Sequence, residues 1–141
     1  MMAGTLMGFD FGERRLGVAV GETETGLAHA VTTIAQEATA ARLAAIEQLV
    51  SEWRPVGFVV GAPRHADGTE HPVARLAGKF ARRLESRFRL PVAMVDETLT
   101  SVEAERRLRE GGRRGGDVDA EAAAVILQSY LDEAHHARSA A

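Results

Sequence analysis

Three carboxylates stand where carboxylates are unexpected. Asp10 sits between Phe9 and Phe11 inside an apolar run, Glu97 follows the short apolar stretch 92–95, and Asp119 precedes Ala123 and Ile126 by four and seven residues. An aspartate within a hydrophobic strand is costly unless a metal ion or a hydrogen-bond donor neutralises it. Ligands of open α/β sheets gather beyond the carboxyl ends of the strands, which is where Glu97 falls. Asp119 begins the stripe of the last helix that faces the core. A strand, a strand end and a helix start supplying one carboxylate each suit Mg²⁺ or Mn²⁺, which prefer oxygen ligands. Two such ions about 3.5–4 Å apart can activate a water and stabilise the leaving oxygen of a phosphodiester. Each residue also has an ordinary role open to it: an arginine partner for Asp10, an exposed turn for Glu97, a helix N-cap for Asp119.

The elements that must position these groups follow from periodicity. Residues 5–11 and 16–21 flank the turn Gly12-Glu13-Arg14-Arg15 and read as a β-hairpin, with a third strand at 30–34 completing an antiparallel meander. Leu43, Ile46, Leu49, Val50 and Trp53 recur at helical spacing until Pro55. Residues 56–61 suit a strand buried on both faces, and 62–71 form a loop with Pro63, Gly68 and Pro72 as breakers. Val73, Leu76, Ala77, Phe80, Ala81, Leu84 and Phe88 make one face of a second helix, opposite Arg75, Lys79, Arg82, Arg83 and Arg87. A buried-type strand at 92–95 follows, then a helix from the capping-box pair Thr100 and Glu103 to about Arg109. Glycines break the chain at 111–116, and a last helix runs from near Asp119 to Ala134. The order β-β-β-α-β-α-β-α-α predicts an α/β chain with a mixed five-stranded sheet, the element order of the ribonuclease-H-like fold, in one domain over 1–141.

Composition narrows the function. Without cysteine there is no thiolate metal site, cysteine nucleophile or disulfide, and residues 1–9 resemble neither a signal peptide nor a membrane span, so a cytoplasmic protein is expected. A net charge of −3 excludes nucleic-acid binding by bulk electrostatics and leaves it to local patches. Arg14 and Arg15 at the hairpin turn form one such patch. Arg106, Arg107, Arg109, Arg113 and Arg114 place five arginines within nine positions beside four glycines, so Arg113 and Arg114 are further candidates for gripping phosphates. The basic face of the second helix is expected to be solvated surface. His65, His71, His135 and His136 read as exposed residues, the last two in a frayed tail.

Four stretches then carry a resemblance: Gly8-Phe9-Asp10-Phe11-Gly12-Glu13-Arg14-Arg15-Leu16-Gly17-Val18-Ala19-Val20; Val60-Gly61-Ala62-Pro63 with Asp67-Gly68-Thr69; Asp96-Glu97-Thr98-Leu99-Thr100-Ser101; and Asp119-Ala120-Glu121-Ala122-Ala123 with Ile126-Leu127-Gln128-Ser129-Tyr130-Leu131. In this order and at this spacing they resemble the signatures of YqgF/RuvX proteins along nearly the whole chain. The resemblance implies a ribonuclease-H-like fold, a bacterial cytoplasmic nuclease maturing the 5′ end of pre-16S ribosomal RNA, contact with ribosomal particles, and an acidic metal site at Asp10, Glu97 and Asp119. It also brings a rival assignment, resolution of Holliday junctions in branched DNA, which requires a dimer where the first reading expects a monomer or weak homodimer. Two departures touch substrate contacts: Thr98 where members often have arginine, and Asp117 where they often have lysine. A sugar-kinase or actin-like ATPase shares the Asp-x-Gly hairpin but needs two such domains. A non-catalytic RNA- or ribosome-associated factor is opposed by the intact acidic set.

Overall fold

The computed structural model describes residues 3–63, 72–97 and 117–140. Strands β1 (Thr5–Asp10), β2 (Leu16–Glu22) and β3 (Leu27–Ile34) precede α1 (Thr39–Trp53), β4 (Gly57–Ala62), α2 (Pro72–Phe88), β5 (Val92–Asp96) and α3 (Val118–Ala140). The sheet order is β3-β2-β1-β4-β5. The first three strands pair antiparallel, while β1 with β4 and β4 with β5 are parallel. This is the expected mixed sheet, with β1 at its centre. The expected helix at 100–109, the glycine break and most of the loop at 62–71 lie outside the described residues.

Alternation along the strands divides the core. Met7 and Phe9 of β1, Leu16, Val18 and Val20 of β2, and Phe58 and Val60 of β4 face α1 and α2, packing on Leu43, Ile46, Phe80 and Leu84. Leu6, Ala19, Ala28 and Val59 face the other way and pack on Ala123, Ile126, Leu127 and Leu131 of α3. The predicted stripes of α1 and α3 are therefore those that bury.

Several expectations shift. β3 begins at Leu27, not 30, because Gly26 at φ 68 donates to the Glu22 carbonyl at 2.8 Å and lets pairing resume at once. Pro72 opens α2 instead of breaking the chain; at a first helical position its missing N–H has no partner to lose. Leu76, expected in the core, is 40% exposed, and β5, expected to be buried on both faces, is a half-buried edge strand with Met94 47% exposed. Among the described residues β5 has a neighbour on one side only. α3 continues beyond Ala134, so His135 and His136 are exposed on a helix and not in a frayed tail. No helix among the described residues is long and apolar enough to cross a membrane.

One polar side chain anchors α3 from inside the apolar face. Gln128 is 1% exposed; its Oε1 accepts from the Ala28 N–H at 2.9 Å, and its Nε2 donates to the Gly26 carbonyl at 2.7 Å and to Asp132 Oδ1 at 3.0 Å. It ties the β2–β3 turn to a helix 100 residues later in the chain. Gln128→Ala strands buried backbone groups and opens a void, so chemical denaturation is expected to show a loss of about 2–4 kcal/mol.

Candidate active site

Asp10 is the last residue of β1, and its two in-register neighbours in the sheet are both glycines: Gly17 on β2 and Gly61 on β4. All three lie on the α3 face, and the two glycines place no side chain of their own beside the aspartate. The same row continues from Gly61 to Val95 on β5. Glu97 follows directly on the end of β5 and hydrogen-bonds the Asp10 carboxyl.

Burial first, then this hydrogen bond and the nearby charges of Asp10 and Asp96, push the Glu97 carboxyl up to about 8. At neutral pH it keeps its proton and donates it to Asp10. Two carboxyls sharing a proton beside a third make a site of concentrated negative potential at the carboxyl end of the parallel strands.

The glycines also set the position of α3. A Cβ on Gly17 would collide with the Asp119 carbonyl oxygen, and one on Gly61 with the Ile126 side chain. The helix thus rests its first turn directly against the strand partner of Asp10. Asp117, a departure from the resembled pattern, caps this helix: its Oδ1 accepts the Asp119 N–H at 3.1 Å, and its carbonyl accepts the Glu121 N–H at 2.9 Å. With the cap supplied by Asp117, the Asp119 carboxylate is available for Arg15, whose Nε lies 3.1 Å from its Oδ2.

The structure therefore brings Asp10 and Glu97 into contact, and places the backbone of Asp119 beside them with its carboxylate engaged by Arg15. Among the described residues no three His, Cys, Asp or Glu side chains are grouped to hold one metal ion. Arg14 is exposed at the hairpin turn; Arg113 and Arg114 lie outside the described residues. The hairpin itself is held by a residue that the patterns did not single out. Arg42 is 3% exposed, donates from Nε to the Gln36 carbonyl at 2.7 Å and from Nη2 to the Glu13 carbonyl at 3.0 Å, and lies over the Phe11 ring. Its spacing from Ile46 puts it on the buried stripe of α1, the one signal that marks it.

A central β1 flanked by β2 and β4, with paired carboxyls at its end, defines the class: a ribonuclease-H-like α/β protein of the nuclease type. Solved structures of this form include Thermus thermophilus RuvC, with a TM-score of 0.67 at 15% identity over 94% of this chain and 96% of that one. RuvC in complex with a Holliday junction substrate gives 0.66 at 12% over the same shares. The chain matches the RuvX family, described as Holliday junction resolvase, across residues 4–133, and it belongs to that family. A relative from Dechloromonas aromatica is 53% identical over 94% of both chains. One from Neisseria gonorrhoeae is 50% identical over 92% of this chain and 88% of its own. Both are provisionally named as pre-16S rRNA nucleases. The enzyme is accordingly a nuclease, a hydrolase of phosphodiester bonds acting on nucleic acid.

A carboxyl held at about 8 when folded and near 4.5 when unfolded binds its proton more tightly in the native state. Its contribution to stability is complete below pH about 4.5 and is lost as pH rises to about 8. Thermal melts in a chelator are expected to fall across that window, and Glu97→Gln to flatten the fall. A melting profile unchanged by the substitution would exclude this origin.

Gly17→Ala is expected to lower the melting temperature by a few degrees, because the added methyl meets the Asp119 carbonyl oxygen, and, on the proposal below that Asp119 serves the reaction, to lower nuclease activity by roughly tenfold to hundredfold. Activity assayed well below both melting transitions separates the two effects.

Proposed function

We propose that this nuclease matures the 5′ end of pre-16S ribosomal RNA in the cytoplasm, as a single domain, with Asp10, Glu97 and Asp119 holding Mg²⁺ or Mn²⁺. The observation that carries the reading is the Asp10–Glu97 pair, a proton-sharing carboxyl pair at the carboxyl end of adjoining parallel strands. The names of the relatives supply the substrate class, RNA.

The donor chemistry fits a hard divalent cation. Every contributing atom is oxygen, and the Glu97 carboxyl, raised by burial first and then by Asp10 and Asp96, lies beside acidic neighbours whose charge a cation would offset. A bound cation of this kind supplies Lewis acidity, lowering the pKa of water and stabilising the leaving oxygen. Asp10, fixed on the central strand, presents its carboxylate between two glycines and leaves room for a phosphate. Glu97 would have to give up its proton to hold such an ion, so binding would be tighter at higher pH. Asp119 completes the set when Arg15 releases it, and Arg15, 68% exposed, is then free to meet a phosphate oxygen. Arg14 lies beside it at the turn, and Arg113 and Arg114 are assigned the same task of gripping the backbone.

The family description and the RuvC-like fold favour a second reading, resolution of branched DNA by a dimer. Purified protein with Mg²⁺ or Mn²⁺ is tested on end-labelled pre-16S leader RNA beside a four-way DNA junction, together with Asp10→Asn. The expected result is cleavage of the RNA alone, abolished in the variant. Paired symmetric cuts in the junction alone would establish the resolvase, and inactivity on both, with RNA still bound, would establish a non-catalytic RNA-binding factor.

A further inference from the structure

Asp10 and the next residue leave β1 on opposite faces of the sheet. Asp10 turns toward α3, whereas Phe11 lines a cavity of about 360 Å³ between α1 and α2. Its walls combine three kinds of chemistry. Phe11, Leu76 and Phe80 give an apolar side, Lys79 and Arg83 stand on α2, and Glu13 and Glu37 stand across from them. Arg42, almost completely buried, forms part of the lining with its guanidinium.

Two features are unexplained by folding. Leu76 is 40% exposed on a helix whose other apolar side chains from Val73 to Phe88 are buried or half-buried, so the apolar wall is left open to solvent. Lys79 and Arg83 are exposed and take part in no ion pair among the described residues, whereas Arg87 on the same helix pairs with Glu47 at 2.7 Å. A cavity near the lower end of the size range of small-ligand sites, with one apolar wall, two available cations and two carboxylates, matches one nucleotide. A base takes the apolar wall, its phosphate meets Lys79 and Arg83, and its amino or ribose hydroxyl groups meet the carboxylates.

We infer that this cavity receives one unstacked nucleotide of the substrate strand, next to the bond cut at Asp10. The inference rests on the nuclease reading for its substrate class. It explains why Arg42 holds both Phe11 and the Glu13 carbonyl in place: the strand end carries a catalytic carboxylate to one face and a wall of the nucleotide site to the other. A strand lying across the carboxyl edge of the sheet meets both.

The test is equilibrium binding of a fluorescent single-stranded RNA tetranucleotide to the full chain in a chelator, where no cleavage occurs. Lys79→Ala with Arg83→Ala is compared with the charge-matched pair Arg82→Ala and Arg87→Ala, and with Leu76→Ala, which changes no charge. Loss of base stacking and phosphate contacts predicts binding weakened roughly tenfold in the first pair and severalfold in Leu76→Ala, with the control pair within about twofold. Unchanged circular dichroism establishes that each variant is folded. Equal losses in both pairs with no effect at Leu76 would assign binding to diffuse charge and overturn the inference. Adenosine monophosphate is expected to compete weakly with the tetranucleotide; tight binding that excess tetranucleotide fails to displace would make the cavity a free-nucleotide site and also overturn it. A separate assay with Mg²⁺ or Mn²⁺ distinguishes the two failures: oligonucleotide bound in the cavity but never cleaved would overturn the nuclease reading and leave a binding cavity only, whereas cleavage with wild-type binding by the cavity variants would overturn this inference alone.

Discussion

Everything at the carboxyl edge depends on how closely α3 can approach the sheet. Ordinary side chains would hold helix and sheet about 10 Å apart. Gly17 and Gly61 remove that spacing on either side of Asp10, so the helix backbone itself becomes a wall of the site. The same two positions place no side chain of their own beside the aspartate, so one compositional choice satisfies both packing and chemistry. Substituting any larger residue there sets the two demands against each other.

The electrostatics of the edge follow from that seating. Asp10, Asp96 and Glu97 are crowded by strand register, not by sequence proximity alone, and the chain relieves the crowding by leaving a proton on Glu97. Arg15 relieves it on the other flank by engaging Asp119. An exposed ion pair of this kind contributes no more than about 1 kcal/mol, so it can be exchanged for another partner without threatening the fold. The guanidinium is the weakly committed charge of the two, since Glu97 holds its proton more tightly than an ordinary carboxyl does.

Much of this could be read from the residues. The meander, the crossovers and the buried stripes of α1 and α3 follow from apolar periodicity, because burial of one face is what sets register. Polar residues doing apolar work were not legible. Arg42 and Gln128 occupy stripe positions, yet their types suggest solvent, and only three-dimensional partners such as the Glu13 carbonyl and the Ala28 N–H justify their burial. Leu76 failed in the opposite sense: it fits the helical template, but the template does not say whether a neighbouring element is there to cover it. Asp117 enters the sequence reading only as a departure near substrate contacts, and its capping role depends on a hydrogen bond that no spacing rule distinguishes from one made by Asp119.

The tie from Gln128 to Ala28 has a consequence for the order of events in the cell. The meander comprises neighbouring hairpins and can pair as soon as it emerges during synthesis, but its α3 face, with Leu6, Ala19 and Ala28, stays bare until α3 is made. Contacts between distant parts of a chain form late and leave apolar surface exposed meanwhile. A nascent chain therefore carries Asp10 without the helix that completes its surroundings. A chain stopped before α3 is expected to expose this apolar face and to be aggregation-prone.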